Sequence, residues 1–442
     1  MAPAAGPSLD DLVSVIIGTP PADVPQLIAQ LKKLDKAPSG PSRRADPSTS
    51  ADGGADPHLL EGKTKDGHDP LALLDPAAHA VGFLYILNAR LAASEPRLEE
   101  LMPSVQAWMD NCDVEQARLV PEQVFYLAQQ LCVLADHAGQ PALPVQPLAS
   151  LLARFPYPGF LTSLHPLFLR VIMGSGMYPA ARELLMSDIT DVDKQLYPVK
   201  YQDHLLYHYL GGTILALLGD YARAAELLEI CVSAPGSGVS LIQLDAYKKL
   251  VLVQLLAFGR MQSLPKYTTG AFSSASKALC TAYTDYAAAF ATHDRSRLAV
   301  AAEKGREVFE KDLNSGLVFL VEQSLRRRQI QKLTETYITL SLGEIAAYVG
   351  HDPADEAQVT ELEREVRDMI ATKQIFATLA PSSSAPALAA ATTVAFIDDP
   401  EPFLSPETVA RVTRAIESAQ ALERRWAAEA ERIEESKEFV HK

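Results

Sequence analysis

Cysteine is scarce. The 442 residues hold four, Cys112, Cys132, Cys231 and Cys280, with no C-x-x-C spacing among them. A secreted disulfide framework and a zinc knuckle are thereby excluded, and a reducing compartment fits best. Long apolar runs are missing too: none approaches the ~18 residues that a bilayer span requires, so no membrane partner is expected. Met1 to Gly6 lack the basic and apolar regions of a signal peptide, and cytoplasm and nucleus are the expected locations. Glycine, at 23 residues, is too sparse for a collagen-like chain. Positive charge is in deficit, with 40 Lys and Arg against 55 Asp and Glu and a net charge of −15. A surface of that sign repels nucleic-acid phosphates and anionic lipid unless a local basic patch overrides it. The default partner is another protein.

What is present is a chain 48% apolar and 21% charged, the balance of a folded, water-soluble protein of roughly two to four domains or one repeat array. Leu12, Val15, Ile16, Leu27, Ile28, Leu31 and Leu34 recur at helical spacing around Thr19-Pro20-Pro21, which predicts two short helices and a turn within residues 1–36. From 37 to 69 the composition shifts to Pro, Ser, Gly, Asp and Lys. Such a stretch is too poor in apolar side chains to offset ordering entropy, and a disordered insertion is expected. Residues 70–324 are helix candidates throughout. Proline opens Pro76–Leu91, Pro121–His137 and Pro166–Met173, at the position where its missing N–H is not needed. A weak repeat of helix end, Gly-x-Tyr turn and second helix recurs at Gly176-Met177-Tyr178 and Gly219-Asp220-Tyr221. The turns lie 43 residues apart from Gly176 to Gly219, then 40 to Gly259 and 34 to the His293-Asp294 turn. Those periods predict a right-handed helical-repeat solenoid of tetratricopeptide-like helix pairs, with glycine as the left-handed cap.

Residues 325–402 read differently. Three helices are predicted over Leu325–Tyr337, Leu342–Val349 and Glu356–Thr372, then two short strands, Ile375–Leu379 and Thr393–Ile397. That is winged-helix order in a mostly α protein. Between the strands, Pro381–Thr392 is rich in Ser and Ala and is expected to be mobile. Residues 403–442 open with Ser405-Pro406-Glu407-Thr408, an N-cap followed by proline at the first helical position. Val412, Ile416, Ala419, Leu422, Trp426, Ala430, Ile433 and Val440 then recur at steps of three, four or seven. One long amphipathic helix follows, with an apolar stripe that needs a partner.

Reaction chemistry is hard to place on this chain. His204 and His208 share a helical face, but Leu205 stands where a zincin needs its general-base glutamate, so they read as two ordinary helix histidines. No His-x-His followed by an acidic ligand exists for a metallo-isopeptidase, and neither metal nor cofactor is expected. Gly236-Ser237-Gly238 lacks the Lys-Ser/Thr end of a phosphate loop and reads as a loop between repeat helices. Asp398-Asp399-Pro400-Glu401 sits in a proline-rich exit from a strand, a solvated turn and not the desolvated pocket that a general acid requires. Arg326-Arg327-Arg328 is the sharpest basic cluster, and a winged-helix nucleic-acid binder is the reading from another class. Against it, the third helix carries Glu356, Glu361, Glu363, Glu365 and Asp368 against Arg364 and Arg367, a face that repels phosphate. No nucleic acid is expected, and no catalytic residue is assigned.

Solenoid, winged helix and terminal amphipathic helix together resemble the PCI family, shared by the proteasome lid, the COP-nine signalosome and an initiation-factor complex. An ordered set of strings narrows the resemblance. Leu74-Asp75-Pro76, Tyr247-Lys248-Lys249, Leu264-Pro265-Lys266-Tyr267-Thr268, Ile330-Gln331-Lys332-Leu333-Thr334, Thr339-Leu340-Ser341-Leu342, Ile375-Phe376-Ala377 and Val394-Ala395-Phe396-Ile397-Asp398 are similar to those of the signalosome's third-subunit family. The resemblance implies a non-catalytic scaffold of the complex that removes the ubiquitin-like protein Nedd from cullins. Its partners would be other signalosome subunits, with the first and the eighth as neighbours, and indirectly cullin-RING ligases. A proteasome-lid or translation-initiation-factor scaffold is the alternative on the same fold. The family pattern also implies edge-to-edge joining through winged helices and a bundle of terminal helices. The insertion at 37–69 and the long wing between Leu379 and Thr393 exceed that pattern.

Two docking surfaces follow. A strand pair leaves an edge of unpaired N–H and C=O groups, and Ile375, Phe376, Val394, Phe396 and Ile397 are expected to bind a partner there, alternate members facing the unit's own core. Val412, Ile416, Leu422, Trp426 and Ile433 are expected to bind partners in the helical bundle. Their stripe extends ~30 Å at 1.5 Å per residue, longer than one small domain face.

Overall fold

The computed structural model describes residues 8–34, 60, 62, 64–65, 67–93, 96–236, 238–380, 389–398 and 405–435. Most of the insertion read at 37–69, the segment 381–388 of the wing, Ser237, Asp399 to Glu401 and Val440 lie outside the described residues. The chain divides into two compact units, Met1–Glu322 and Gln323–Lys442.

The first unit is helical throughout. It begins with α1 (Leu9–Gly18), α2 (Val24–Leu34), α3 (Pro70–Leu73), α4 (Ala80–Leu91), α5 (Leu98–Asn111), α6 (Val114–Arg118), α7 (Pro121–His137) and α8 (Val145–Arg154). It continues with α9 (Leu164–Ser175), α10 (Arg182–Met186), α11 (Tyr201–Leu217), α12 (Tyr221–Ser233), α13 (Leu241–Phe258), α14 (Gly270–Leu279), α15 (Thr281–Ala291) and α16 (Arg295–Lys311). α17 (Ser315–Thr334) runs from this unit into the next. Helices α4, α7, α9, α11, α13 and α15 pack successively side by side, and α5, α8, α12 and α16 lean against them. Each amphipathic pair buries its apolar side on the next pair, which is how a repeat solenoid is stabilised.

Small residues set the spacing of those pairs. A Cβ at Gly212 would lie 2.6 Å from Leu228 Cγ and 3.1 Å from the Ala224 carbonyl, so α11 and α12 approach as closely as they do because that Cβ is absent. The turn glycines Gly176, Gly219 and Gly259 adopt φ of 73°, 84° and 71°, the left-handed region in which only glycine is unstrained. His293 takes the same role at φ 56° where the repeat has no glycine.

At the start of the unit, α1 carries a reciprocal cap between Ser8 and Asp11, and Ile16 sits in a notch at Gly82 of α4, where a Cβ would be 2.5 Å away. Among the described residues no single helix is long and apolar enough to cross a membrane; α1 and the segment Pro21–Leu34 pass that test only as a pair bent by 118°. Leu12, Ile16, Leu27 and Leu31 of that pair are buried. The disordered reading of 37–69 needs correction at its described end. Leu60 and Thr64 are buried, and Arg90 donates to the Gly62 carbonyl at 3.2 Å and pairs with Asp69 at 2.7 Å.

A polar cluster ties α13 and α15 to the α16–α17 turn. Lys248 Nζ lies 2.8 Å from Asp312, Tyr283 donates its hydroxyl to the same carboxylate at 2.9 Å, and Asn314 Nδ2 donates to Tyr283 Oη at 2.8 Å. Lys249 Nζ closes the set on Asn314 Oδ1 at 3.0 Å. Every group has a partner, which offsets part of the desolvation that burial imposes on Lys249 and Tyr283.

The second unit completes a winged helix. After α17 come β1 (Thr339–Ser341), α18 (Leu342–Val349), α19 (Glu356–Ala371), β2 (Ala377–Ala380), β3 (Thr393–Phe396) and α20 (Pro406–Glu434). Ile330, Leu333, Ile345, Val349, Val359, Leu362, Val366 and Met369 from three helices meet Ile375, Ala377, Val394 and Phe396 in one core. The sheet has three strands in the order β1-β3-β2, all antiparallel, where two were expected. β1 was missed because three residues running straight into a helix N-cap leave no period-two pattern to read.

Two histidines of the first unit give it a pH response. Burial holds both His165 and His208 down to about 4, against an ordinary value of 6.5. Both are neutral in the fold and protonate in the unfolded chain below about pH 6.5, so unfolding takes up protons as pH falls. Stability present above about pH 6.5 is expected to fall progressively toward pH 4, by roughly 3 kcal/mol per histidine. Urea unfolding across that range checks it, and a His208→Asn chain should show a shallower fall than the parent.

Candidate docking surfaces

The wing sheet decides which strand offers an edge. Phe396 N donates to Ile338 O at 2.8 Å and Ile397 N to Phe376 O at 2.9 Å, so successive β3 residues bond alternately to β1 and to β2. β3 is therefore central, and its backbone is committed on both sides. Ile375, Val394 and Phe396 are buried in the unit's own core. This corrects the expectation that they line a docking edge: the central strand must face the helices that cover it. Phe376 and Ile397 are placed otherwise. They oppose each other on the face of the sheet turned away from the helical core, Phe376 half-buried and Ile397 49% exposed.

The open edges belong to β2 and β1. By the same alternation Phe376, Thr378 and Ala380 bond toward β3, which turns the backbone N–H and C=O of Ala377 and Leu379 outward. On β1 the outward residues are Thr339 and Ser341, but Ser341 N already donates to Glu344 Oε2 at 2.8 Å as part of the α18 cap. β2 is the freer edge among the described residues. Sequence reasoning missed it because the central position of β3 depends on a long-range pairing with β1 that local periodicity does not encode.

Helix α20 presents the second surface. Ser405 caps it by accepting from Thr408 N at 3.2 Å, Pro406 opens it, and it runs unbroken for 29 residues, about 44 Å at 1.5 Å per residue. Among the described residues no other element packs along it, and Thr408 is its one buried residue. Val412, Ile416, Leu422, Trp426 and Ile433 are all exposed, Leu422 by 65% and Trp426 by 74%. Val409 extends the stripe by one turn. Removing these six side chains from water would contribute on the order of 10 kcal/mol before ordering costs.

The arginine run is internally matched. Arg326 lies 3.8 Å from Glu365, and Arg327 lies 3.6 Å from Glu365 and 2.7 Å from Asp368. Arg326 also meets His351 Nε2 at 3.3 Å. The acidic face of α19 thus takes up two of the three charges on which a nucleic-acid reading depended. Arg328 is half-buried, and burial lowers its pKa. His204 and His208 stack at 4.4 Å between ring centroids, and His208 Nδ1 is bonded to the His204 carbonyl. Among the described residues no group of three or more His, Cys, Asp or Glu is placed to hold a metal ion.

Comparison with known proteins bears on both units. A family model described as COP9 signalosome complex subunit 3, N-terminal helical repeats, matches residues 57–271. A PCI domain model matches residues 298–383, which takes in α18, α19 and the sheet strands β1 and β2. The chain is 32% identical over 312 residues to a Dictyostelium discoideum protein named COP9 signalosome complex subunit 3, covering 70% of this chain and 73% of that relative. It is 31% identical over 344 residues to an Arabidopsis thaliana protein of the same name, covering 76% of this chain and 75% of the relative.

The matched charges on α17 and α19 make a stability prediction. Glu365, 11% exposed, loses its described cations if Arg326 and Arg327 are both replaced by alanine. That pair of changes is expected to cost about 2–3 kcal/mol, read as a lower Tm, whereas the exposed Arg364→Ala should stay within about 0.5 kcal/mol. Equal Tm values for the two chains would show that the pairs contribute nothing.

Proposed function

The chain belongs to the COP9 signalosome subunit 3 family, and from that premise we propose that it is a non-catalytic scaffold that joins other signalosome subunits through α20 and the open edge of β2. The observation that carries this reading is the unbroken apolar stripe of α20, exposed along its whole described length. In folded proteins most helical stability comes from packing an amphipathic face, and that face of α20 has no described cover. Edge addition at Ala377 and Leu379 would satisfy their outward backbone groups while Phe376 and Ile397 supply side-chain contact.

In this reading the chain stands beside the first and eighth subunits in the complex that takes Nedd off cullins, in cytoplasm and nucleus. It reaches cullin-RING ligases through the assembly and not by direct chemistry. Isopeptidase activity is assigned to another subunit. The signalosome reading is favoured over a proteasome-lid or initiation-factor placement because the two relatives described above carry the signalosome name.

A chain ending at Pro402 is expected to keep its helical circular-dichroism signal, less the contribution of α20, and to drop out of the complex when co-expressed with the other subunits. Trp426→Ala in the full chain should reduce co-purified partner by about tenfold, the loss of one large anchor in a packed interface. Wild-type recovery of partners by the truncated chain would remove the helical-bundle reading.

A further inference from the structure

Helical geometry sorts the residues of α20 by angle, at about 100° per residue. Val409, Val412, Ile416, Leu422, Trp426 and Ile433 fall within an arc of about 140°. Alanines fill most of the rest of that arc, which lets a neighbouring backbone come close. Between Val409 and Ile433 one charged side chain lies inside the arc, and it is Glu423. It sits between the angular positions of Val412 and Ile416, near the middle of the stripe.

Glu423 has no mate within its own helix. Its neighbours at three and four residues are Ala419, Gln420, Trp426 and Ala427, none of them cationic. Arg424 and Arg425 follow in sequence but project to other sides of the helix, since residues one and two apart do not face each other. Outside the arc, Arg432 pairs with Glu429 at 3.3 Å. No described residue outside the helix pairs with Glu423 either.

We infer that Glu423 is the register-setting residue of the α20 interface, and that the partner is a helix of a different polypeptide with a Lys or Arg in its own apolar seam opposite Glu423. The inference rests on the helical-bundle reading above and adds the chemistry of the mate. A carboxylate enclosed in an apolar seam keeps its charge only against a cation, so a partner helix apolar throughout would leave it buried and unpaired. One polar residue in a seam sacrifices some stability and fixes alignment, because sliding the partner by a turn separates the pair. A second copy of α20 does not fit as occupant in either direction, because Arg411, Arg414, Arg424, Arg425 and Arg432 all lie outside the arc and its seam offers no cation to Glu423.

The full chain carrying Glu423→Lys, Glu423→Gln, Glu417→Lys or Trp426→Ala is co-expressed with the other signalosome subunits, and the co-purified partner is measured against wild type. Glu423→Lys is expected to lose at least about tenfold, Glu423→Gln a few-fold, and Glu417→Lys, on the charged side of the helix, less than twofold. Wild-type recovery with Glu423→Lys, alongside loss with Trp426→Ala, overturns the inference and leaves the bundle standing. Wild-type recovery with both removes the bundle as well. Equal loss with Glu417→Lys and Glu423→Lys also overturns it, because the effect would then be one of general charge.

Discussion

An amphipathic helix must cover its apolar side, and that single constraint organises this molecule. In the first unit the requirement is met inside the chain. α11 buries one side on α12 through the gap at Gly212 and another on α9, and α13 repeats the arrangement on α12 and α15. Close approach of backbones, permitted by glycine and alanine, turns a series of helices that would each be marginal alone into a continuous core. At α20 the same requirement is left open. Its stripe carries Val409, Val412, Ile416, Leu422, Trp426 and Ile433, yet no described element of the chain lies along it. Among the described residues, α20 is the long helix whose apolar side stays uncovered.

The sheet repeats that logic in hydrogen bonds. A three-stranded wing commits its central strand on both sides and leaves two edges. One edge is shortened by its own helix cap, where Ser341 N is taken by Glu344. The other, β2, keeps the outward groups of Ala377 and Leu379. Backbone pairing is tolerant of sequence, whereas a seam with one carboxylate in it is selective. On the proposed reading the edge of β2 would supply attachment and α20 the choice of neighbour.

Much of this was legible from residue spacing, and the exceptions have physical causes. Helix α7 was read at its observed bounds because Pro121 and a regular stripe mark it locally, and α18 and α19 differ from their expected ends by at most one residue. The turn glycines were equally plain, since a left-handed cap is a property of one residue. α4 begins at Ala80, later than Pro76 suggested, because the residues before it form a turn held by Asp75 and His79. The sheet was misread for a different reason. Which strand is central depends on β1, more than fifty residues from β3 in the chain, and Ile375, Val394 and Phe396 carry the same local pattern whether they face a partner or their own helices. Exposure along α20 was foreseeable from its stripe; the special place of Glu423 emerges only when the unbroken helix fixes every residue to one angular scale.

The ionisable groups argue in the same direction. Active sites move nucleophiles and bases toward neutrality, thiols and phenols downward and carboxyls or imidazoles into the range where they exchange protons. Here burial drives the thiols, the phenols and three of the imidazoles the opposite way. The thiols of Cys132 and Cys231 are pushed up to about 12 and that of Cys112 to about 11, while the Tyr207 phenol rises to about 12. His165 and His208 are pushed down to about 4. A thiol with that pKa is not a thiolate at neutral pH, and an imidazole with that pKa is too weak a base to take a proton from one. These side chains serve as packing. The ion pairs Lys248–Asp312 and Arg327–Asp368 fix the α16–α17 turn and hold α17 against α19. Charge in these pairs positions elements within the chain.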